Sequence, residues 1–421
     1  MAAVITGIGV VAPTGVGAAE HWRATLAGEL AVRPIEAFDA GRYATGLAGQ
    51  VTGFDVTEHV PDRLAVQTDR WTWLAFAATA MALADADYDP AAHDPYATSV
   101  ILGSGSGGNE FGQREIQALW SRGRKAVGAY QSIAWFYAAS TGQLSIHHGT
   151  KGPSGVLVSD AAAGIDSLGW ADRAIRRGSA AVLAGGTEAP ISPYALTIQT
   201  RSGRLSTATD PRAGYKPFDR AANGHLPGEG GAVLVLEDEA AARARSAPPG
   251  YGMLAGYAAT QDAHGFRAAA PDGRQYSRAI ELALGRARVR PDQVDMVLAD
   301  GAGLPEDDAA EARALRSVFG PHAVPVTAPQ GLVGRLLSGG SALNVATALL
   351  AMRDGVIPAV GNLDDPDPAH GLDLVRRPRE RRLDTVLVTA RGRGGFNSAL
   401  VLRACDTRRA PRSTGALARG Q

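Results

Sequence analysis

The chain has 421 residues, 45% of them hydrophobic, and its 42 basic and 42 acidic side chains balance formally. That apolar content is ample for a buried core, and the lack of net charge or of long one-sign blocks excludes the electrostatic footprint of a nucleic-acid or membrane binder. The lone cysteine, Cys405, excludes a disulfide framework and a cysteine-built metal site.

In chain order, the N-terminal run through Val11, Ala12 and Pro13 is apolar but has no basic flank, and Gly and Pro interrupt it well short of a membrane span. It reads as a buried first strand, with a cytoplasmic location expected. Ser99-Val-Ile-Leu is the next strand, and Gly103-Ser-Gly105-Ser-Gly-Gly108 after it matches a dinucleotide-binding fingerprint. That reading is set aside, because the stretch about twenty residues on, Ala126-Val-Gly-Ala-Tyr-Gln, has no acid for a ribose hydroxyl. A close-packed glycine loop opening a helix is expected instead. The adjacent His147 and His148 cannot converge on one metal ion from a regular element and read as surface or capping residues.

Further strands are expected at Gly155-Val-Leu-Val, Ala180-Ala-Val-Leu, Asp295-Met-Val-Leu, Val324-Pro-Val-Thr and Thr385-Val-Leu-Val, alternating with Ala- and Leu-rich helices. This is an α/β pattern with buried parallel strands. Residues 155–186 run strand, small-residue turn, Ala-rich helix, strand, and residues 324–360 repeat the order, with Val356-Ile-Pro-Ala-Val as the closing strand. A duplicated core follows, with halves at 1–245 and 251–407 divided in the polar stretch Arg243 to Gly250, and a disordered tail over 408–421.

Val156-Leu-Val-Ser-Asp-Ala161-Ala-Ala-Gly164-Ile-Asp166-Ser167 is built like a strand-to-helix elbow for a nucleophile, with none at its tip. It resembles the S-T-A-C-T-S-G-L-D-S stretch of thiolase-superfamily ketosynthases, and the resemblance places Ala161 at the cysteine. Those enzymes carry two histidines that stabilise the enolate and oxyanion of condensation. The matching stretches here are Met296-Val-Leu-Ala-Asp300-Gly301-Ala-Gly303 and Gln330-Gly-Leu-Val-Gly334-Arg335, which put Asp300 and Arg335 at the histidines and Gln330 at a lysine. The family's aromatic gate loop G-F-G-G appears as Gly392-Arg393-Gly394-Gly395. Asp219-Arg220 and Gly228-Glu229-Gly230-Gly231 persist, so the fold is kept and the reactive groups are gone.

Phe111-Gly-Gln-Arg114-Glu115, Ile133-Ala-Trp135-Phe136-Tyr137, Thr141-Gly-Gln143 and Gly334-Arg335-Leu336 with Ser338-Gly339-Gly340 complete the pattern. Over residues 2–405 the chain resembles the chain-length factor, or ketosynthase beta subunit, of type II polyketide synthases. The resemblance implies a thiolase-like fold with a duplicated α-β-α-β-α core. It also implies a heterodimer with a catalytic ketosynthase alpha, with residues 155–159 at the interface, and an acyl carrier protein delivering malonyl units. No cofactor, metal, nucleic acid or membrane is expected.

By the same resemblance Asn109, Gly112 and Ile116, on one helical face, project into the channel that sets chain length. One bulky side chain there could stop growth, since overpacking costs about 1–3 kcal/mol. None of the three is aromatic, which implies an open channel unless Ile133 and Tyr194 close it; ordinary helix packing is the competing reading. Where many chain-length factors have a glutamine tied to malonyl decarboxylation, this chain has Ala161, so no decarboxylation is expected of it. Two alternatives stand beside this reading. One is a structural partner for a ketosynthase making reduced or polyene chains. The other is an independent enzyme, such as a decarboxylase, using Ser159, Asp160 or Cys405; against it, Ser159 and Asp160 precede the elbow tip, where a strand would aim them away from a shared pocket.

Overall fold

The computed structural model describes residues 2–265 and 268–405. The tail expected to be disordered, 408–421, lies outside the described residues. The first half contributes strands β1 (Ala3–Ala12), β2 (Thr98–Gly103), β3 (Ser154–Leu157), β4 (Ala181–Glu188) and β5 (Gly230–Asp238). The second contributes β6 (Gly252–Gln261), β7 (Met296–Leu298), β8 (Pro325–Thr327), β9 (Thr385–Gly392) and β10 (Phe396–Arg403).

The spatial order is β3-β2-β4-β5-β1 in the first half and β8-β7-β9-β10-β6 in the second, the same arrangement twice. The halves join where β1 pairs antiparallel with β6, Ala3 opposite Leu254, and the short strand Asp373–Leu374 extends the second half beyond β8. Within each half the first three strands in that order pair in parallel and the rest antiparallel, so the sheet is mixed rather than purely parallel as the sequence pattern suggested.

Alternation along the strands explains the layering. Ala232, Leu234 and Leu236 of β5 enter a central core, while Val233 and Val235 enter an outer one under helix α1 (Arg70–Asp85). In the second half Val386 and Val388 of β9 face the centre, and Leu387 faces an outer core with Ala279, Ile280 and Ala283. Both faces of each sheet half are therefore apolar, as in sheets covered on both sides. Further helices that matter for the core and the site are α2 (Asn109–Arg122), α3 (Gln131–Ala134), α4 (Ala139–His148), α5 (Ala163–Arg176), α6 (Pro193–Thr200), α7 (Arg274–Ala287), α8 (Pro305–Phe319) and α9 (Leu337–Asp354). Helices α5 and α9 fill the centre. Ile165, Leu168 and Ile175 of one and Val345, Leu349 and Leu350 of the other are wholly buried, each contributing about 1.5–3 kcal/mol of apolar burial. The resulting α-β-α-β-α stack is the expected thiolase-like core.

One detail of the expected repeat is corrected. Val356-Ile357 does not close the second unit in the main sheet but pairs with Arg379-Glu380 in a separate two-stranded ribbon. The fourth strand of that half is β9, reached only after residues 358–384. No helix among the described residues is long and apolar enough to cross a membrane.

Candidate functional site

A cavity of about 550 Å³, within the range of small-ligand pockets, opens between the glycine loop, α2, α6, the elbow and the loop after β9. At the elbow, β3 ends and a single turn, Asp160 to Ala162, leads into α5. Asp160 adopts φ +55°, a left-handed conformation rare for a residue with a side chain, so it is the strained residue of the elbow. Its carboxylate accepts the backbone N–H of Arg393 at 2.7 Å, tying elbow to gate loop. Gly392 permits that approach, since a Cβ there would lie 2.3 Å from Ser159 O. The expectation that Asp160 aims away from the pocket is corrected: it lines the cavity. Ala161, one residue on, is 4% exposed and is not among the lining residues. Ser159 is buried and donates from Oγ to Asp166, which also accepts from Tyr257 Oη at 2.8 Å. Cys405, half-buried beyond β10, lies outside the cavity.

Asp300 and Arg335 meet. Arg335 Nη2 donates to both carboxylate oxygens of Asp300, at 3.0 and 3.2 Å, and to Arg391 O at 2.9 Å. Asp300 also accepts the Arg391 backbone N–H at 3.1 Å. Burial, the largest single influence, opposes the charge on Arg335, but Asp300, Tyr215 and Asp160 together outweigh it and hold the guanidinium charged. The loop bearing Asp300 is braced from behind. Gln330 Nε2 donates to Ala299 O at 2.8 Å and to Asp300 O, and Glu311 accepts the N–H groups of Asp300 at 2.9 Å and Gly301 at 2.8 Å. Burial, then the charge of Asp300, raises the Glu311 carboxyl to about 7. The two groups are thus consumed by each other. An ion pair of this kind holds no nucleophile and offers no imidazole to an enolate.

Asn109, Gly112, Ile116 and Tyr194 line the cavity, as do Gly392, Arg393 and Gly394. Gly112 has room, for a Cβ would meet only Trp135 Cβ at 3.6 Å. Ile133 is half-buried on α3 and does not line the cavity; Trp135 and Tyr137, just after that helix, do. Gly395 is likewise off the wall. Aromatic rings therefore reach the cavity from a neighbouring segment and from Tyr194, so its wall is not set by α2 alone.

The glycine loop has no free anion cradle. Buried Glu188 accepts from Gly105 N, Ser106 N and Oγ, and Ser338 Oγ, so the amides a phosphate would need are occupied. Burial lifts the Glu188 carboxyl to about 7. Neither Glu188 nor His225, a buried cavity residue, was signalled by any sequence motif, because their roles come from distant elements. His147 and His148 lie at the C-terminal end of α4, and no metal-holding cluster occurs among the described residues.

One face of the molecule is unfinished. Among the described residues the sheet ends at β3, which pairs only with β2, and Val158 and Ile146 beside it are 50% and 68% exposed. Ile116, Leu119 and Trp120 of α2, with Trp135 and Phe136, add exposed apolar surface. Unpaired edges and apolar patches of this kind are rarely left to solvent.

The models for the beta-ketoacyl synthase N-terminal and C-terminal domains match residues 2–242 and 251–364. The tetracenomycin polyketide synthase ketoacyl synthase beta subunit of Streptomyces glaucescens is 52% identical over 402 residues, covering 95% of this chain and 98% of that one. Among solved structures, the ishigamide ketosynthase/chain length factor superposes with a TM-score of 0.89 at 27% identity, over 96% of this chain and 99% of that one. A type II PKS acyl-carrier protein in complex with its ketosynthase bound to the hexaketide gives 0.87 at 26% identity over the same shares.

Proposed function

Because the chain belongs to the beta-ketoacyl synthase family, we propose that it is the non-condensing chain-length subunit of a type II polyketide synthase. It pairs with a catalytic ketosynthase alpha, receives chains built from malonyl units on an acyl carrier protein, and works in the cytoplasm. The relatives' names point to this assembly. The observation that carries the non-condensing role is the Asp300–Arg335 pair, which stands where condensation needs two imidazoles, beside an elbow without a thiol. Two thiolase-like halves, 1–245 and 251–407, form the subunit.

The face around β3, Ile146 and Val158 docks the partner, burying an edge and a patch that are exposed in the single chain. The cavity wall formed by Asn109, Gly112, Ile116 and Tyr194, with Trp135 and Tyr137, bounds the space available to the growing chain. With neither thiol nor glutamine at Ala161, the subunit does not decarboxylate malonyl groups itself, and priming falls to its partner. The test is reconstitution. Alone with malonyl-loaded carrier protein the chain releases no carbon dioxide and forms no carbon–carbon bond, whereas with its ketosynthase alpha both occur. Condensation or decarboxylation by the isolated chain would refute the reading.

A further inference from the structure

The turn between β9 and β10, Gly392 to Gly395, places Gly392, Arg393 and Gly394 on the cavity wall, with Arg393 exposed. Three of its four residues are glycine, the residue that loses most freedom on being ordered, so a turn of this composition stays fixed only where something holds it. Its own contribution is small: Gly395 N donates to Gly392 O at 3.3 Å, and the Gly394 N–H has no partner among the described residues.

Three side chains from three separate elements supply the rest. Asp160 at the elbow accepts the Arg393 N–H at 2.7 Å, Asp300 accepts the Arg391 N–H at 3.1 Å, and Arg335 donates to Arg391 O at 2.9 Å. Each bond joins a backbone group to a charged side chain, the stronger kind of hydrogen bond. The ion pair thus grips the end of β9 while the elbow grips the turn that follows. Strain such as the left-handed backbone of Asp160 persists only where its surroundings over-determine it, and the bond to Arg393 is part of that surrounding.

We propose that Asp160, Asp300 and Arg335 are positioning residues that clamp the β9–β10 turn, making it a fixed part of the cavity wall and so a determinant of product length. The inference rests on the chain-length reading above and goes beyond it: the side chains at the degenerate site serve the shape of the cavity. They touch no reacting atom and transfer no proton.

Asp160 tests the clamp, since it lies outside the ion pair. Asp160→Gly accepts the left-handed backbone without strain but removes the carboxylate, whereas Asp160→Asn tolerates the same backbone and keeps a side-chain oxygen for the Arg393 N–H. Amide exchange is read by NMR in the complex of this chain with its ketosynthase alpha, and products are resolved by mass after adding carrier protein and malonyl donor. With Gly, exchange of the Arg393 amide quickens about tenfold, the equivalent of about 1.4 kcal/mol, and with Asn it stays within about threefold of wild type. A released turn enlarges the cavity, so the ratio of longer to wild-type-length product rises with Gly by about the same factor and is restored with Asn. Exchange that does not change, equal quickening in both variants, or an unaltered product with Gly overturns the proposal. Gly112→Phe run in parallel separates the two readings: if it alters product length and Asp160→Gly does not, only the clamp falls, and if neither does, the chain-length reading falls with it. A further measurement needs no variant. In the wild-type complex the Arg393 amide exchanges at least about tenfold more slowly than the unpaired Gly394 amide, each relative to its intrinsic rate; equal protection overturns the proposal.

Discussion

If Asp300 and Arg335 neutralise each other in a dead site, removing both should cost much less than the sum of removing each alone. The side chains are only 8% and 11% exposed, and Arg335 meets the carboxylate through one nitrogen at 3.0 and 3.2 Å. Arg335→Leu leaves a buried carboxylate whose remaining partner is the Arg391 N–H, and it strips Arg391 O of its donor. The expected loss is about 3–5 kcal/mol. Asp300→Leu strands the guanidinium and the Arg391 N–H, with a similar loss. In the double leucine variant the charges vanish together, and a buried pair is about neutral against a hydrophobic replacement. What remains is the unpaired Arg391 N–H and C=O, about 1–3 kcal/mol each. The double variant should therefore lose less than the two single losses added together, with a coupling of several kcal/mol. Urea unfolding of all four proteins at one concentration and pH 7 measures this. Losses that simply add in the double variant would mean that the two residues do not stabilise one another, and the account of how the degenerate site is closed would fail.

Glu188 predicts a pH effect. Its carboxyl is raised from 4.5 to about 7 by burial, so the folded state prefers the protonated form. The associated stability, about 3 kcal/mol, is fully present below about pH 4.5 and lost as pH rises through about 7. Glu188→Gln removes that slope, so the variant gains on wild type between pH 5 and pH 8 in urea midpoints; parallel profiles would refute the assignment. The similar carboxyl of Glu311 contributes equally to both proteins and cancels. At the exposed edge, Val158→Asp places a charge where the partner is proposed to dock. Its dissociation constant for the ketosynthase alpha should rise at least about tenfold while the single chain unfolds as wild type does, and unchanged affinity would move the interface elsewhere.

Strands flanked by glycine and rich in β-branched residues were legible because burial on both faces imposes that composition. All six segments quoted, from Ser99 to Thr385, overlap strands of the main sheet. The pairing was less legible. Val356-Ile357 has the composition of a core strand, yet the position it was assigned belongs to β9, because an apolar run does not reveal its neighbour. The pairing of Asp300 with Arg335 follows from contacts across 35 residues, and each was recognisable only as a departure from a motif. The direction of Asp160 depends on a left-handed backbone turn that strand periodicity does not encode. Trp135 stood in a family-specific stretch, but that it rather than Ile133 reaches the cavity depends on how the chain leaves α3. His225 had no local signal at all, since only the assembled fold brings it to the cavity wall.

The central claim is that this subunit limits chain growth by shape and performs no condensation itself. Gly112 tests it most directly, because it lines the cavity and a Cβ there meets nothing closer than 3.6 Å. In the reconstituted complex, Gly112→Phe should release a shorter polyketide than wild type while malonyl is still consumed, as read by product mass. The same product from both proteins would remove α2 from the wall of the growing chain and contradict the account.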